Sequence, residues 1–267
     1  MNKIGFIGTG NLAASIIKGL KQKKTGYELF MYDVFEEKAK ILAKEYGAQS
    51  CSFEEVVRES QTLILAVKPK DIKDLLQELS RSNLSGKLII TVAAGIGLTA
   101  YEQMLPGVAI VRVMPNTSSA VLQAVSGMSR GQHVDDQQAI TAEKIFSAVG
   151  KVLWIDDRKI NALTAVSGSG PAYFYLFSEL MTEVGEKLGL TKEEAGFLAR
   201  ETLVGAGMML AEDHRSLQEL REAVTSPNGT TEAAINTFIE QGLDEIFHKA
   251  MLACWRRAEQ MEGEYSQ

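Results

Sequence analysis

Thr225-Ser226-Pro227-Asn228-Gly229-Thr230-Thr231-Glu232, near the end of the 267-residue sequence, has residue types suited to holding a small anion. Pro227 fixes φ, and Asn228 and Gly229 tolerate φ > 0, so the backbone must turn sharply there. Thr230, Thr231 and Glu232 then read as the cap and first turn of a new helix. A tight turn feeding a helix N-terminus presents free N–H groups and a partial positive charge. The hydroxyls of Ser226, Thr230 and Thr231 surround it, and the expected occupant is a small carboxylate substrate. An ordinary helix–helix turn with good capping residues would read the same way.

The other end of the chain bears on that choice. Lys3-Ile4-Gly5-Phe6-Ile7 is a short apolar run followed at once by Gly8-Thr9-Gly10-Asn11-Leu12-Ala13 and a helical pattern. This is the G-x-G-x-x-G/A fingerprint in the strand–turn–helix setting that it requires. Gly8 makes the turn, Gly10 lets a pyrophosphate approach, and Ala13 lets helix and strand pack closely. Contacts to a dinucleotide are expected at Gly8, Gly10, Asn11 and Leu12. Residues 28–33 form a second strand ending in Asp33, 25 residues beyond Gly8. An acid there suits the ribose 2′-hydroxyl of NAD, or serves as a plain N-cap for the helix of residues 36–46; NADPH and NADH both remain open.

These residues need a scaffold. Apolar runs at 62–67, 88–92 and 108–113 alternate with helical patterns, which means βαβ units and a parallel sheet. Ligands bind at the C-terminal strand ends of such sheets. The loops Ala66-Val67-Lys68-Pro69 and Ala93-Ala94-Gly95 lie on that edge. Lys68 is a solvated loop lysine or a cofactor contact. Shorter strands are expected at 125–129 and 152–155, with a helix at 141–149 between them.

From about Asn161 the strand pattern ceases. Ser167-Gly168-Ser169-Gly170-Pro171 places small residues ahead of a helix-opening proline. The helix after it is apolar on too many sides for the surface of a monomer, so burial as a central helix or within a dimer is expected. Thr191-x-x-Glu194 and Ser216-x-x-Glu219 are capping boxes. The expected organisation is an α/β fold: a Rossmann-like dinucleotide-binding domain over residues 1–160 and an all-helical domain over 161–267.

Composition narrows the function. The net charge of −6 argues against nucleic acid, and no apolar run approaches the ~20 residues that span a bilayer. Cys51 and Cys254 are too few for a disulfide framework, and the three histidines never fall in metal-ligand spacing. A cytoplasmic, metal-free protein is expected.

Five stretches together resemble the pyrroline-5-carboxylate reductase family over essentially the whole chain. They are residues 8–11, 66–69, 112–117 (Arg-Val-Met-Pro-Asn-Thr), 163–173 and 225–231. The resemblance implies reduction of 1-pyrroline-5-carboxylate to L-proline with NADPH or NADH. It also implies a dimer of interlocked C-terminal helices, often assembled into a decamer. The turn matching Ser226, Asn228, Gly229, Thr230 and Thr231 would hold the substrate carboxylate, and Thr231 would bond the ring nitrogen. The nicotinamide would lie against Ala93, Ala94, Asn116 and Gly170. Departures from the family pattern are Leu12, Ser118 and Asn228, the last also tolerant of αL.

Carbonyl reduction by hydride normally needs a general acid to quench an alkoxide. The C-terminal half offers no histidine or lysine in a motif that fills that role. A protonated cyclic imine needs none, because hydride attack leaves a neutral amine; alignment becomes the main requirement. A hydroxyacid dehydrogenase of similar build would carry a lysine where this chain has Tyr173-Phe174-Tyr175-Leu176-Phe177. A dinucleotide-binding regulatory paralogue without turnover is the alternative of another class.

Overall fold

The computed structural model describes residues 3–265, which fall into two compact units. The first runs to Ser169 and regains the chain from Cys254; the second is Gly170–Ala253. The division comes after Ser169, and the helical segment that starts at Ile160 still packs on the sheet through the buried Leu163, which lies against Gly127.

The first unit holds an eight-stranded sheet in the order β3-β2-β1-β4-β5-β6-β7-β8. The strands are β1 (Lys3–Ile7), β2 (Glu28–Tyr32), β3 (Gln49–Ser50), β4 (Thr62–Leu65), β5 (Leu88–Thr91), β6 (Ala109–Met114), β7 (Ala124–Arg130) and β8 (Gly150–Trp154). All neighbours are parallel except β6 and β7. Its helices are α1 (Asn11–Gln22), α2 (Glu36–Tyr46), α3 (Phe53–Glu59), α4 (Ile72–Leu79), α5 (Leu98–Met104), α6 (Asp136–Phe146) and α7 (Ile160–Leu163). The central strands read as continuous apolar runs because both faces are covered. On one face Ile4, Phe6, Ile64, Ile90 and Val111 meet Ile16, Ile17 and Leu20 of α1 and Phe146 of α6. On the other, Ile7, Leu63, Leu65, Ile89 and Ile110 meet Phe53 and Val56 of α3, Leu76 of α4 and Tyr101 of α5. Capping boxes at Ser52/Glu55 and Asp135/Gln138 start α3 and α6.

The second unit is helical: α8 (Gly170–Lys187), α9 (Lys192–Glu212), α10 (Leu217–Ala223), α11 (Thr230–Glu240) and the first part of α12 (Leu243–Tyr265). Both boxes expected from the sequence form here. The Thr191 hydroxyl accepts from the Glu194 N–H at 3.2 Å while Glu194 accepts from the Thr191 N–H at 2.8 Å. Ser216 and Glu219 repeat the arrangement. Gly185 lets α8 approach α9, since a Cβ there would lie 2.9 Å from the Ala195 side chain. Among its described residues the buried apolar side chains are only Ala195 and Ala199, while Phe174, Leu180, Val184, Phe197, Met208 and Phe247 are exposed. A unit with so little core of its own leaves an apolar surface that demands a cover.

Candidate active site

The strand order reverses between β1 and β4, and open α/β sheets place ligands outside the strand ends at such a point. Gly8 follows β1 there with φ of 95°, donating its N–H to the Tyr32 carbonyl at 2.8 Å. A Cβ on Gly8 would lie 2.6 Å from the Ala66 carbonyl oxygen, so the turn tolerates only glycine. Gly10 is the N-cap of α1, exposed, and a Cβ there would meet nothing within 4 Å. Its lack of a side chain therefore leaves room on the solvent side, as the approach of a pyrophosphate requires. Asn11 and Leu12 open α1, which has no acidic residue in its first turn and no side-chain cap. Its N–H groups and dipole thus face outward, and the residues present fit a dinucleotide.

Asp33 holds this loop. Its Oδ2 accepts from both the N–H and the hydroxyl of Thr9 at 2.8 Å, and Oδ1 accepts from the Phe35 N–H at 2.9 Å. Burial pushes its carboxyl up, but the Phe35 and Thr9 donors outweigh it and hold the group below the ordinary carboxylate value. The N-cap of α2 is Phe35, so the capping alternative for Asp33 does not hold; the carboxylate closes a local turn and clamps Thr9 instead.

Ala66 and Val67 leave β4 half-buried, and the exposed Lys68 is the N-cap of a 3₁₀ turn at Pro69–Asp71. Ala93 follows β5 with its side chain in the core, while Ala94 is partly open. Asn116 ties three segments together. Its Oδ1 accepts from the Val125 N–H at 3.2 Å, and its Nδ2 donates to the Ser167 carbonyl at 3.3 Å. That carbonyl needs such a donor because Pro171, four residues on, has no N–H to offer. Residues Thr164–Gly168 wind as a π-helix, with the Ser169 N–H bonded to the Thr164 carbonyl at 2.9 Å, directly ahead of the helix start that the sequence places at Pro171. The cofactor residues expected between Gly8 and Asn116 all follow strand ends of this one sheet edge; Gly170 opens the second unit.

The turn of the second unit is closed by a bond from the Gly229 N–H to the Ser226 carbonyl at 2.9 Å, with Pro227 and Asn228 at its two central positions. Asn228 takes φ of 57°, the left-handed conformation expected of it. The cap of α11 is Gly229 rather than Thr230: its backbone is extended and its carbonyl accepts the first helical bond, from the Ala233 N–H at 3.2 Å. No side chain caps α11. Among the described residues the hydroxyls of Thr230 and Thr231 have no hydrogen-bond partner, and Thr231 is half-buried. Two donors are already used: the Gly229 N–H closes the turn, and the Asn228 N–H bonds Glu232 Oε2 at 2.7 Å. The turn thus binds a carboxylate of its own protein.

Sequence reasoning placed Thr9, Glu232 and Arg112 in motifs without their bonds, and missed Asp157 and Glu262, which complete a buried cluster around Arg112. The Arg112 guanidinium, 2% exposed, donates from Nη1 to Asp157 and to Glu262, each at 3.0 Å. Asp157 also accepts from the Leu98 N–H at the start of α5, and Glu262 accepts from Asn161 Nδ2 at 2.7 Å. A cation within an apolar strand signals buried acceptors, and that signal was present in the sequence. Glu262→Gln removes one charge while Asp157 still pairs with Arg112, so a loss of about 1–2 kcal/mol is expected. Thermal unfolding at fixed protein concentration checks this; an unchanged midpoint would mean that the end of α12 is held by other contacts.

Comparison with known proteins bears on these features. The family profile described as pyrroline-5-carboxylate reductase dimerisation matches residues 157–261, and that of NADP oxidoreductase coenzyme F420-dependent matches residues 3–95. A pyrroline-5-carboxylate reductase of Pseudomonas aeruginosa is 39% identical over 99% of this chain and 98% of its own length. One from Haemophilus influenzae is 36% identical over 97% of each. Among solved structures, a pyrroline-5-carboxylate reductase from Coxiella burnetii superposes with a TM-score of 0.90 at 37% identity, covering 97% of both chains. The Plasmodium falciparum pyrroline carboxylate reductase with NADP bound reaches 0.85 at 26% identity, covering 98% of both. At 39% and 36% identity over nearly its whole length, the chain belongs to the pyrroline-5-carboxylate reductase family.

Proposed function

We propose that this protein reduces 1-pyrroline-5-carboxylate to L-proline with a reduced nicotinamide dinucleotide. The observation that carries the reading is the Ser226–Thr231 turn: an uncapped helix start with two unpartnered threonine hydroxyls, a backbone already able to hold a carboxylate, and relatives named for this reaction.

Gly8, Gly10, Asn11 and Leu12 would hold the pyrophosphate, with Ala66, Val67, Lys68 and Pro69 beside it and Asp33 at the adenosine end. Ala93, Ala94, Asn116 and Gly170 would border the nicotinamide, which when bound supplies the hydride. The turn N–H groups, with Ser226, Asn228, Gly229 and Thr230, orient the substrate carboxylate. Thr231 bonds the ring nitrogen and keeps its proton in place. The imine carbon gains the hydride, the C=N π pair passes to nitrogen, and the cation becomes a neutral amine. No oxyanion forms, which is why no histidine or lysine is needed at the reacting atom.

The helical unit also serves as the oligomer interface. Its exposed apolar faces on α8 and α9 and the dimerisation profile over 157–261 support a homo-oligomer. A decamer and a cytoplasmic location are what the resemblance to the family implies; among the described residues no helix is long and apolar enough to cross a membrane. The test is NADH and NADPH oxidation with pyrroline-5-carboxylate, with proline quantified, beside a panel of hydroxyacids run in the reverse direction. Turnover of the hydroxyacids alone would refute the reading.

A further inference from the structure

The group on the adenosine ribose 2′-carbon, hydroxyl in NADH and phosphate in NADPH, meets the end of the second strand in this type of sheet. Here that position is Asp33, directly after β2. Two observations bear on which group it admits. The carboxylate is fixed by three donors, the Thr9 N–H, the Thr9 hydroxyl and the Phe35 N–H. It cannot swing aside for a phosphate without releasing the glycine loop. Oδ2 takes two of these bonds and Oδ1 one, so Oδ1 retains capacity for a further donor such as a hydroxyl.

The residues that follow offer no cage for a phosphate. The first turn of α2, whose N–H groups would otherwise suit an anion, carries Glu36 and Glu37. Lys40 is engaged with both, at 2.8 and 3.3 Å. Lys38 lies over the Phe35 ring, 4.7 Å from its centroid. No arginine occurs from Asp33 to Lys40. A dianionic phosphate would therefore meet the fixed Asp33 carboxylate, with Glu36 and Glu37 opening the helix beyond it, and Lys38, whose charge already acts on Asp33, would have to leave the Phe35 ring to pair with it.

We propose that Asp33, held by Thr9 and Phe35, makes this protein select NADH over NADPH by accepting the 2′-hydroxyl and repelling a 2′-phosphate. The inference rests on the dinucleotide site described above and adds its specificity. The test measures dissociation constants for NADH and NADPH without substrate, by nicotinamide fluorescence, and then kcat/KM for each with pyrroline-5-carboxylate. NADH is expected to bind at least about tenfold more tightly than NADPH, since like charges brought together strongly disfavour the wrong partner. Asp33→Ser is expected to move the ratio by about tenfold or more towards NADPH, mainly by tightening NADPH. Asp33→Asn, which keeps the shape and removes the charge, moves it in the same direction and serves if the serine variant does not fold.

Equal or tighter binding of NADPH by the unaltered protein overturns the proposal. So does a loss of affinity for both dinucleotides by the same factor in the variants, which a loop clamp alone would give. A clear NADH preference in binding without pyrroline-5-carboxylate turnover supports Asp33 as the selector while refuting the proposed reaction. Failure to bind either dinucleotide overturns both.

Discussion

Gly8→Ala is expected to lower the thermal unfolding midpoint by roughly 6–12 °C and to weaken dinucleotide binding at least about tenfold. Two costs add. An alanine at φ of 95° is strained by about 1–2 kcal/mol. Its Cβ would then sit 2.6 Å from the Ala66 carbonyl oxygen and 2.8 Å from its carbon, both backbone atoms that cannot rotate away. Relief means separating the end of β1 from the loop after β4, and the bonds from the Ala66 N–H to Ile7 and from the Gly8 N–H to Tyr32 stretch with it. A total near 3 kcal/mol follows. The measurement is a melting curve at fixed protein concentration, with nicotinamide fluorescence for binding. A midpoint within about 2 °C of the unaltered protein would show that β1 and β4 do not close as tightly as described. Gly10→Ala is the control: its Cβ meets no protein atom, so it should weaken binding with little effect on stability.

The contrast between these glycines shows what a sequence reveals and what it withholds. Strands β1, β4, β5 and β6 were legible because burial on both faces leaves no room for polar alternation. The boxes at Thr191 and Ser216 were legible because both partners lie within three residues. Their counterparts at Ser52 and Asp135 follow the same rule but went unread, so α6 begins at Asp136 rather than at 141; α3 and the unboxed α5 escaped because seven residues give little periodicity to read. Partners distant in the chain were illegible. Glu262 lies 150 residues from Arg112, and nothing local names it. Asn116 lies 51 residues from the carbonyl that Pro171 leaves without a donor. Asp33 was read for its type and position, but the clamp on Thr9 depends on the strand pairing that sets β1 beside β2. At the turn, the left-handed residue was foreseen at Asn228 from its tolerance of φ > 0, while the cap fell on Gly229, one residue early, because its carbonyl already accepts from Ala233.

Thr231→Ala is expected to lower kcat by about a hundredfold, equivalent to ~2.7 kcal/mol of transition-state stabilisation. Dinucleotide affinity and the unfolding midpoint should stay as they are. The magnitude follows from what the hydroxyl does. It is not a strong acid, so it cannot give the larger factors of a tuned histidine or glutamate; it fixes the ring nitrogen and its proton while the imine carbon is reduced. The expected independence from folding follows from the structure, since the Thr231 hydroxyl bonds no other described residue. The carboxylate would still be captured by the turn N–H groups, so KM should change far less than kcat. Thr231→Ser, which keeps the hydroxyl, should recover most of the rate, and Thr231→Val, which keeps the shape, should not. Retention of near-normal kcat by the valine variant would remove this hydroxyl from the chemistry and leave positioning by the turn backbone as the main contribution of this helix start.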